Sequence, residues 1–247
     1  MIKVSDLIIR ILSKHTSHIF GGQGGSVLHM VDSIYKNKKI KFIPGQSEQG
    51  SSLAADAYYR SSGKLGVVLG TSGPGIINFI QGIACSYYDS VPALYLAGAP
   101  IVSDLRKNIK IRQIGFQEME VQKLLKPLTK GIWLIKKKEE VESVFNKAIS
   151  LSLSGRMGPV LIDIPMDIQQ MEVPKVKIDR IISENLAIET DKYSDLVSNF
   201  LENTERPLVL FGAGIGLANM QNAVINWINE HNIPFVSSWN GLSYFNH

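Results

Sequence analysis

Glu48 opens the stretch richest in groups that could do chemistry. It stands in Ser47-Glu48-Gln49-Gly50, after the apolar run Ile40–Ile43 and its Pro44-Gly45 stop. Further on, the continuous apolar run Leu65–Leu69 empties into Thr71-Ser72-Gly73-Pro74-Gly75, and Asn78 follows shortly after. A second glycine cluster, Gly21-Gly22-Gln23-Gly24-Gly25, closes the short run His18–Phe20. Glycine turns at strand ends let the backbone approach a ligand closely, and a carboxyl group beside them can manage a proton. Taken alone, a carboxylate in the first turn of a helix is equally a favourable charge at the positive end of the dipole. Simpler chemistries fail on spacing. The glycine cluster lacks the Lys and Ser/Thr of a phosphate-binding P-loop, and Gly70-Thr71-Ser72-Gly73-Pro74 misses a nucleophile elbow at its fifth residue. The five histidines show no ligand spacing with carboxylates or cysteine, so no metal ligands are assigned.

The elements that must position these groups alternate between strand and helix. Ser5 is expected to cap an amphipathic helix that turns Leu7, Ile8, Ile11 and Leu12 inward. Ser47 is expected to cap a second helix, with Leu53, Ala54, Ala57 and Tyr58 on its inner face and Gly63 as its stop. Leu65–Leu69 reads as a buried parallel strand, Ile76–Tyr88 as one helix, and Val91–Ala97 as the next strand. Cys85 is expected to be apolar filler in that helix, and Tyr87 and Tyr88 to be packing residues. Ile132–Ile135 and the strand within Gly155–Pro165 flank an amphipathic helix, Glu139–Leu153. In open α/β sheets ligands bind at the carboxyl ends of the strands, which puts Glu48 and the Thr71–Gly75 turn at one edge.

Composition bounds the class. A chain of 247 residues with 45% hydrophobic and 19% charged residues is an ordinary globular protein. The net charge of +4 is mild, and the basic runs around Lys36–Lys41 and Lys136–Lys138 are read as solvated surface. Neither run is interleaved with aromatics, so no nucleic acid partner is assigned. A lone cysteine excludes an internal disulfide, no stretch is long enough to span a membrane, and Asp6 and Arg10 interrupt any leader-like start. These features together point to the cytoplasm.

Ser-Glu-Gln-Gly-x-x-x-Ala-Ala-Asp-Ala-Tyr-x-Arg from Ser47, followed by Gly-Thr-Ser-Gly-Pro-Gly-x-x-Asn from Gly70, resembles the pyrimidine-binding domain of thiamine-diphosphate enzymes, in their acetolactate synthase-like branch. Further matches are Asp89-Ser90-Val91-Pro92, Gly115-Phe116-Gln117-Glu118, Lys126-Pro127-Leu128-Thr129-Lys130 and Gly155–Pro165, so the resemblance runs to about Gln169. It implies a doubly wound parallel α/β sheet over residues 1–169, a linker over 170–190 and the beginning of a Rossmann-like central domain over 191–247. It also implies thiamine diphosphate as cofactor, with Glu48 at N1′ of the aminopyrimidine. A carboxyl group there shares a proton with the ring and favours the imino form that removes the C2 proton. Gly22, Thr71, Ser72, Pro74 and Asn78 are the implied cofactor contacts; Gln23, Phe116, Gln117 and Lys130 are the implied substrate-facing residues, with Gln23 and Gln117 as further catalytic candidates. The family loop usually carries proline where Gln23 stands, which weakens the match to acetolactate synthase itself.

The second unit copies part of a dinucleotide fingerprint in Pro207–Phe211 followed by Gly212-Ala213-Gly214-Ile215-Gly216. Leu217 occupies the third glycine position, and the next strand ends in Ser237-Ser238 instead of an acid, so NAD is not assigned. By resemblance this unit opens a central domain that binds FAD in some members and nothing in others. No Gly-Asp-Gly with a downstream Asn occurs, the motif that holds Mg²⁺ and the diphosphate in this family. The reading is therefore the front part of a 2-oxo acid decarboxylating or carboligating transferase or lyase of branched-chain amino acid type, inactive as an isolated piece. It would work as a homodimer or homotetramer, or with a complementary diphosphate-binding chain. The competing reading is a non-catalytic subunit that retains the fold.

Overall fold

The structure, a computed structural model, describes residues 1–106, 110–181 and 190–244. The chain divides into two compact units, Met1–Leu186 and Ala187–His247.

The first unit is built on strands β2 (His18–Gly21), β3 (Lys41–Pro44), β4 (Gly66–Gly70), β5 (Ala93–Ala99), β6 (Gly131–Leu134) and β7 (Pro159–Pro165). They form one sheet in the order β3-β2-β4-β5-β7-β6, and every neighbouring pair is parallel. The three central strands β4, β5 and β7 are buried along their whole length, as continuous apolar runs require when both faces are covered. Their alternation assigns the two cores. Val67, Leu69, Leu94, Leu96, Val160 and Ile162 point into one of them. That core is closed by α1 (Val4–Leu12), α2 (Leu28–Lys36) and α7 (Val141–Leu153). Val68, Ala93, Tyr95 and Leu161 point to the other face, against α3 (Glu48–Ser62), α5 (Ile80–Tyr88) and α6 (Val121–Leu125). The sheet is thus doubly wound.

Leu7, Ile8, Ile11 and Leu12 face the core as the periodicity requires. Ser5 does not cap α1. Strand β1 (Ile2–Lys3) pairs with β8 (Glu172–Val173) and the Val4 amide donates to Met171, so the helix starts earlier and Ser5 is buried within it. There it lies 2.8 Å from the Ser33 hydroxyl, which donates to it. The start of the stretch read as a linker accordingly belongs to the first unit: β8 pairs with β1, and Ile178 and Ile181 pack against the core. Residues 182–189 of that stretch lie outside the described residues.

Helix α3 turns a different face inward from the one its larger residues suggest. Ser51, Ser52, Ala55 and Asp56 are buried, while Leu53, Ala54 and Tyr58 are half-buried and Ala57 is exposed. The cause is close approach: a Cβ on Gly66 would overlap the Ala55 carbonyl, and one on Gly82 would overlap the Ser52 side chain. Asp56 anchors this contact by accepting from Ser86 of α5 at 2.8 Å and from Arg60 at 2.5 Å, while Arg60 also reaches Asp89 at 2.8 Å. Cys85, Tyr87 and Tyr88 fall on the outer side of α5 and are exposed, so none of them is core filler.

In the second unit, α9 (Thr190–Glu202) precedes β9 (Val209–Phe211), α10 (Gly214–Leu217), α11 (Gln221–His231) and β10 (Phe235–Ser237). β9 and β10 pair in parallel. A Cβ on Gly216 would overlap the Tyr244 ring, so the end of this glycine turn is filled by the unit's own aromatic side chain.

Candidate active site

Three strand ends are brought level by the sheet register. Gly21 at the end of β2 lies opposite Pro44 of β3 on one side and Leu69 of β4 on the other. The connection after β2 runs outward to β3, and the one after β4 runs the other way to β5, so the strand order reverses between β2 and β4. Such a reversal opens a crevice at the carboxyl ends. Glycine makes the crevice narrow: a Cβ on Gly21 would overlap the Leu69 carbonyl, and the Gly22 amide donates to that same oxygen at 3.1 Å.

Glu48 is the first residue of α3 and stands over this crevice. Its position is set by Ser47, whose hydroxyl accepts from the Gly50 amide at 3.1 Å, and by Gly63, which ends the helix in the left-handed conformation at φ 67°. Oε2 accepts from the Asn78 side-chain amide at 3.1 Å. Oε1 faces bare backbone: a Cβ on Gly22 would come within 3.6 Å of it, and one on Gly75 within 3.8 Å. One carboxylate oxygen is therefore held, and the other looks into a cradle kept open by two glycines. Glu48 is half-buried, not enclosed in a dry pocket.

Asn78 reaches Glu48 because the helix after the turn is broken. The stretch read as one helix is α4 (Pro74–Ile77) and then α5, with Phe79 between them. The Phe79 amide bonds back to Ile76 at 3.0 Å, a tightened turn, and its ring is fully buried 5.5 Å from that of Tyr95. A Cβ on Gly70 would overlap this ring, so phenylalanine inserts beneath the turn.

The remaining site residues separate into two groups. Thr71 packs its methyl against Gly24, and the Ser72 amide donates to Ser26 Oγ at 3.1 Å, so the two glycine turns are tied together. Gly73, at φ 64°, lies against the Gln117 carbonyl, and Gln117 itself has φ 54°. A non-glycine residue in that region marks a conformation imposed by its surroundings. Gly22, Thr71, Ser72, Pro74, Asn78 and Gln117 thus belong to one contiguous set of turns around Glu48, and Gln23 is exposed on the first of them. Phe116, next to Gln117, is 79% exposed. Lys130 does not join them. It precedes β6, at the opposite edge of the sheet, and its ammonium donates to the carbonyls of Leu151 and Ser154 (the latter at 2.7 Å), where it satisfies the end of α7. Lys130 therefore does not face the substrate side, contrary to what the resemblance implies.

Two participants were not singled out by the sequence. Gln169 is fully buried and donates to Ser26 O at 2.7 Å and Ile164 O at 2.9 Å, clamping the first glycine turn to the end of β7. Its signal, a lone amide after a strand, is too common to find by reading. Asp163 lies within β7, 7% exposed, and its Oδ1 has no hydrogen-bond partner among the described residues. Burial pushes its carboxyl up to about 8. A cavity of about 220 Å³ is lined by Asp163 together with Ser72, Gly73, Ile76 and Gly98, but not by Glu48. The same turn therefore serves both the glutamate and this cavity. An aspartate inside Pro-Val-Leu-Ile-Asp-Ile-Pro breaks an apolar run, and that was the available signal.

A parallel doubly wound sheet with a glutamate over a glycine-lined crevice defines the class. Residues 2–124 match the family described as thiamine pyrophosphate enzyme, N-terminal TPP binding domain, and the chain belongs to that family. Its relatives include the acetolactate synthase large subunit of Buchnera aphidicola subsp. Acyrthosiphon pisum, 34% identical over 98% of this chain and 42% of the relative. The acetolactate synthase large subunit of Lactococcus lactis subsp. lactis is 32% identical over 96% of this chain and 41% of its own length. The acetolactate synthase isozyme 3 large subunit of Escherichia coli K12 is 30% identical over 99% and 43%. The chain thus spans well under half the length of these relatives. No helix among the described residues is long and apolar enough to cross a membrane.

Proposed function

We propose that this chain supplies the cofactor-activating side of a thiamine-diphosphate-dependent, acetolactate synthase-like enzyme acting on 2-oxo acids. One observation carries the reading: Glu48 has one oxygen fixed by Asn78 and the other turned to a cradle that any side chain on Gly22 or Gly75 would fill. A flat aromatic ring with a ring nitrogen fits such a cradle, and Glu48 Oε1 is free to hold or release a proton at that nitrogen. When bound, the cofactor supplies a carbon nucleophile for attack on a ketone. Asn78 keeps the carboxylate from rotating, and the Gly22 and Gly75 backbones flank the ring. Gln23, Phe116 and Gln117, exposed at the same edge, are the residues we assign to the substrate. The diphosphate and Mg²⁺ are assigned to a separate domain carried by a second copy or by a complementary chain. FAD is assigned no role in the chemistry of this unit.

The test is Glu48→Gln in the assembly that contains this chain. Exchange of the cofactor C2 proton, followed by NMR after acid quench, is expected to fall by about 10²–10⁴-fold, the range for loss of a positioned acid–base group. Far-UV circular dichroism is expected to stay unchanged. Exchange at the wild-type rate would remove Glu48 from the mechanism. Cofactor binding with no exchange in the wild type would instead favour a non-catalytic subunit.

A further inference from the structure

At the edge of the sheet opposite Glu48, three segments far apart in sequence converge on a cleft of about 730 Å³. Arg10 comes from the last turn of α1 and Lys14 from the loop after it. Lys36 ends α2, Lys38 and Lys39 lead into β3, and Lys175 and Lys177 follow β8. By pattern alone the basic run from Lys36 is solvated surface; the fold gathers it with cations from two other places. No aspartate or glutamate lines the cleft. Asp32 pairs with Lys36 at 2.6 Å and Lys3 at 3.4 Å, and Asp179 lies 3.7 Å from Lys177. Among the described residues, no carboxylate pairs with Arg10, Lys14, Lys38, Lys39 or Lys175.

The carboxyl ends of α1 and α2 favour nearby cations, and Arg10 and Lys36 answer that need. The other five cations exceed it. Arg10 gives a second, independent sign: its Nη1 is buried and has no hydrogen-bond partner among the described residues. A buried guanidinium nitrogen without an acceptor is costly unless a ligand supplies one. The cleft has the size of a small-molecule site. Its cations meet in one hollow instead of following a stripe, and no aromatic side chain lines it for base stacking, which disfavours nucleic acid.

We propose that this cleft binds a small polyphosphate anion, with the planar Arg10 fork on phosphate oxygens and the lysines as surrounding point charges. Val176 and Ile178, which also line it, offer an apolar ledge beside the charge. The site is independent of the Glu48 chemistry, so its fate and that of the proposed activity are separate.

Isothermal titration of the full chain with inorganic tripolyphosphate is expected to give saturable one-to-one binding that weakens several-fold from roughly 50 to roughly 200 mM salt. The double variant Lys14→Glu/Lys39→Glu is expected to weaken binding by more than about tenfold, because like charges then face the ligand. Lys137→Glu, in the other basic run and outside the cleft, is expected to leave affinity within about twofold, as suits an exposed, distant charge. ATP binding more tightly than tripolyphosphate would identify a nucleotide as the source, with its base on Val176 and Ile178; equal affinities would identify the phosphate chain alone. Unsaturable binding, or binding unaffected by the Lys14/Lys39 reversal, overturns the proposal. So does a single-stranded oligonucleotide that binds more tightly than tripolyphosphate and is weakened equally by Lys137→Glu.

Discussion

Asp163 and Glu48 are two carboxyl groups treated in opposite ways by the same fold. Glu48 opens α3, keeps one oxygen bonded and remains half open to water. Asp163 is sealed inside a strand with one oxygen unpaired, and burial raises it to about 8 from an ordinary 3.8. For an acid raised on folding, the native state holds more protons than the unfolded chain between those two values. Stability from Asp163 is then fully present below pH 4 and is lost as pH rises through about 8. Asp163→Asn removes the titration and keeps the shape. Its melting temperature is expected to exceed that of the wild type at pH 8 and to converge with it near pH 4; parallel curves at all pH values would contradict the assignment. Asn78→Ala tests the other carboxyl. Loss of a hydrogen bond to a charged group costs about 1.5–3 kcal/mol, so C2 exchange in the active assembly is expected to fall by roughly tenfold or more. At this scale Glu48, Asn78 and the Thr71–Gly75 turn were legible, because residue type, strand ends and family pattern coincide on them. Asp163 was not, because its strand reads as architecture and the one break in its apolar run gains meaning only from the burial of the oxygen.

Two helix starts show what local pattern can and cannot fix. Ser47 caps α3 as its hydroxyl predicts, since the nearby Gly50 amide needs an acceptor and nothing tertiary competes. Ser5 was expected to do the same for α1 and does not, because the β1–β8 pairing moves the helix start upstream. Ser47→Ala is expected to cost about 1 kcal/mol in denaturant unfolding, a typical cap loss. The inner face of α3 differs from the one that side-chain size predicts, because glycines at 66 and 82 reward small residues with closer packing. Likewise, Phe79 breaks a stretch whose periodicity reads as a single helix, since the space beneath Gly70 takes an aromatic ring. Gln169 ties the ends of two elements that no local pattern links. Gln169→Ala leaves the Ser26 and Ile164 carbonyls without this donor, and a loss of about 1–3 kcal/mol in urea unfolding is expected. An unchanged midpoint would mean that other donors reach both carbonyls.

Across the whole molecule, the site edge is open where its proposed chemistry needs cover. Glu48 is half-buried, Gln23 and Gln117 are exposed, and Phe116 presents 79% of its surface. A proton-sharing carboxylate works best with water excluded, and a large exposed aromatic ring beside a strained backbone is a natural contact for a covering surface. The glycine cradle accepts the flat end of a cofactor, but around Glu48 it offers amide, hydroxyl and backbone groups, and the cavity lined by Arg106, Lys123 and Lys136 shares the Ser72–Gly73 turn without including Glu48. A diphosphate needs cations, and the larger cationic hollow of this unit lies at the opposite edge. A ligand that binds only the native state stabilises it by RT ln(1 + [L]/Kd), about 2.7 kcal/mol at a hundred times Kd. Thiamine diphosphate with Mg²⁺ is therefore expected to raise the melting temperature by several degrees only when a diphosphate-holding domain is present, whether from a second copy or a complementary chain. This chain alone is expected to gain little under the same conditions, and to gain equally little in the Glu48→Gln variant. A full shift in the isolated chain would mean that its own residues hold both ends of the cofactor, and the division of labour between two domains would fall.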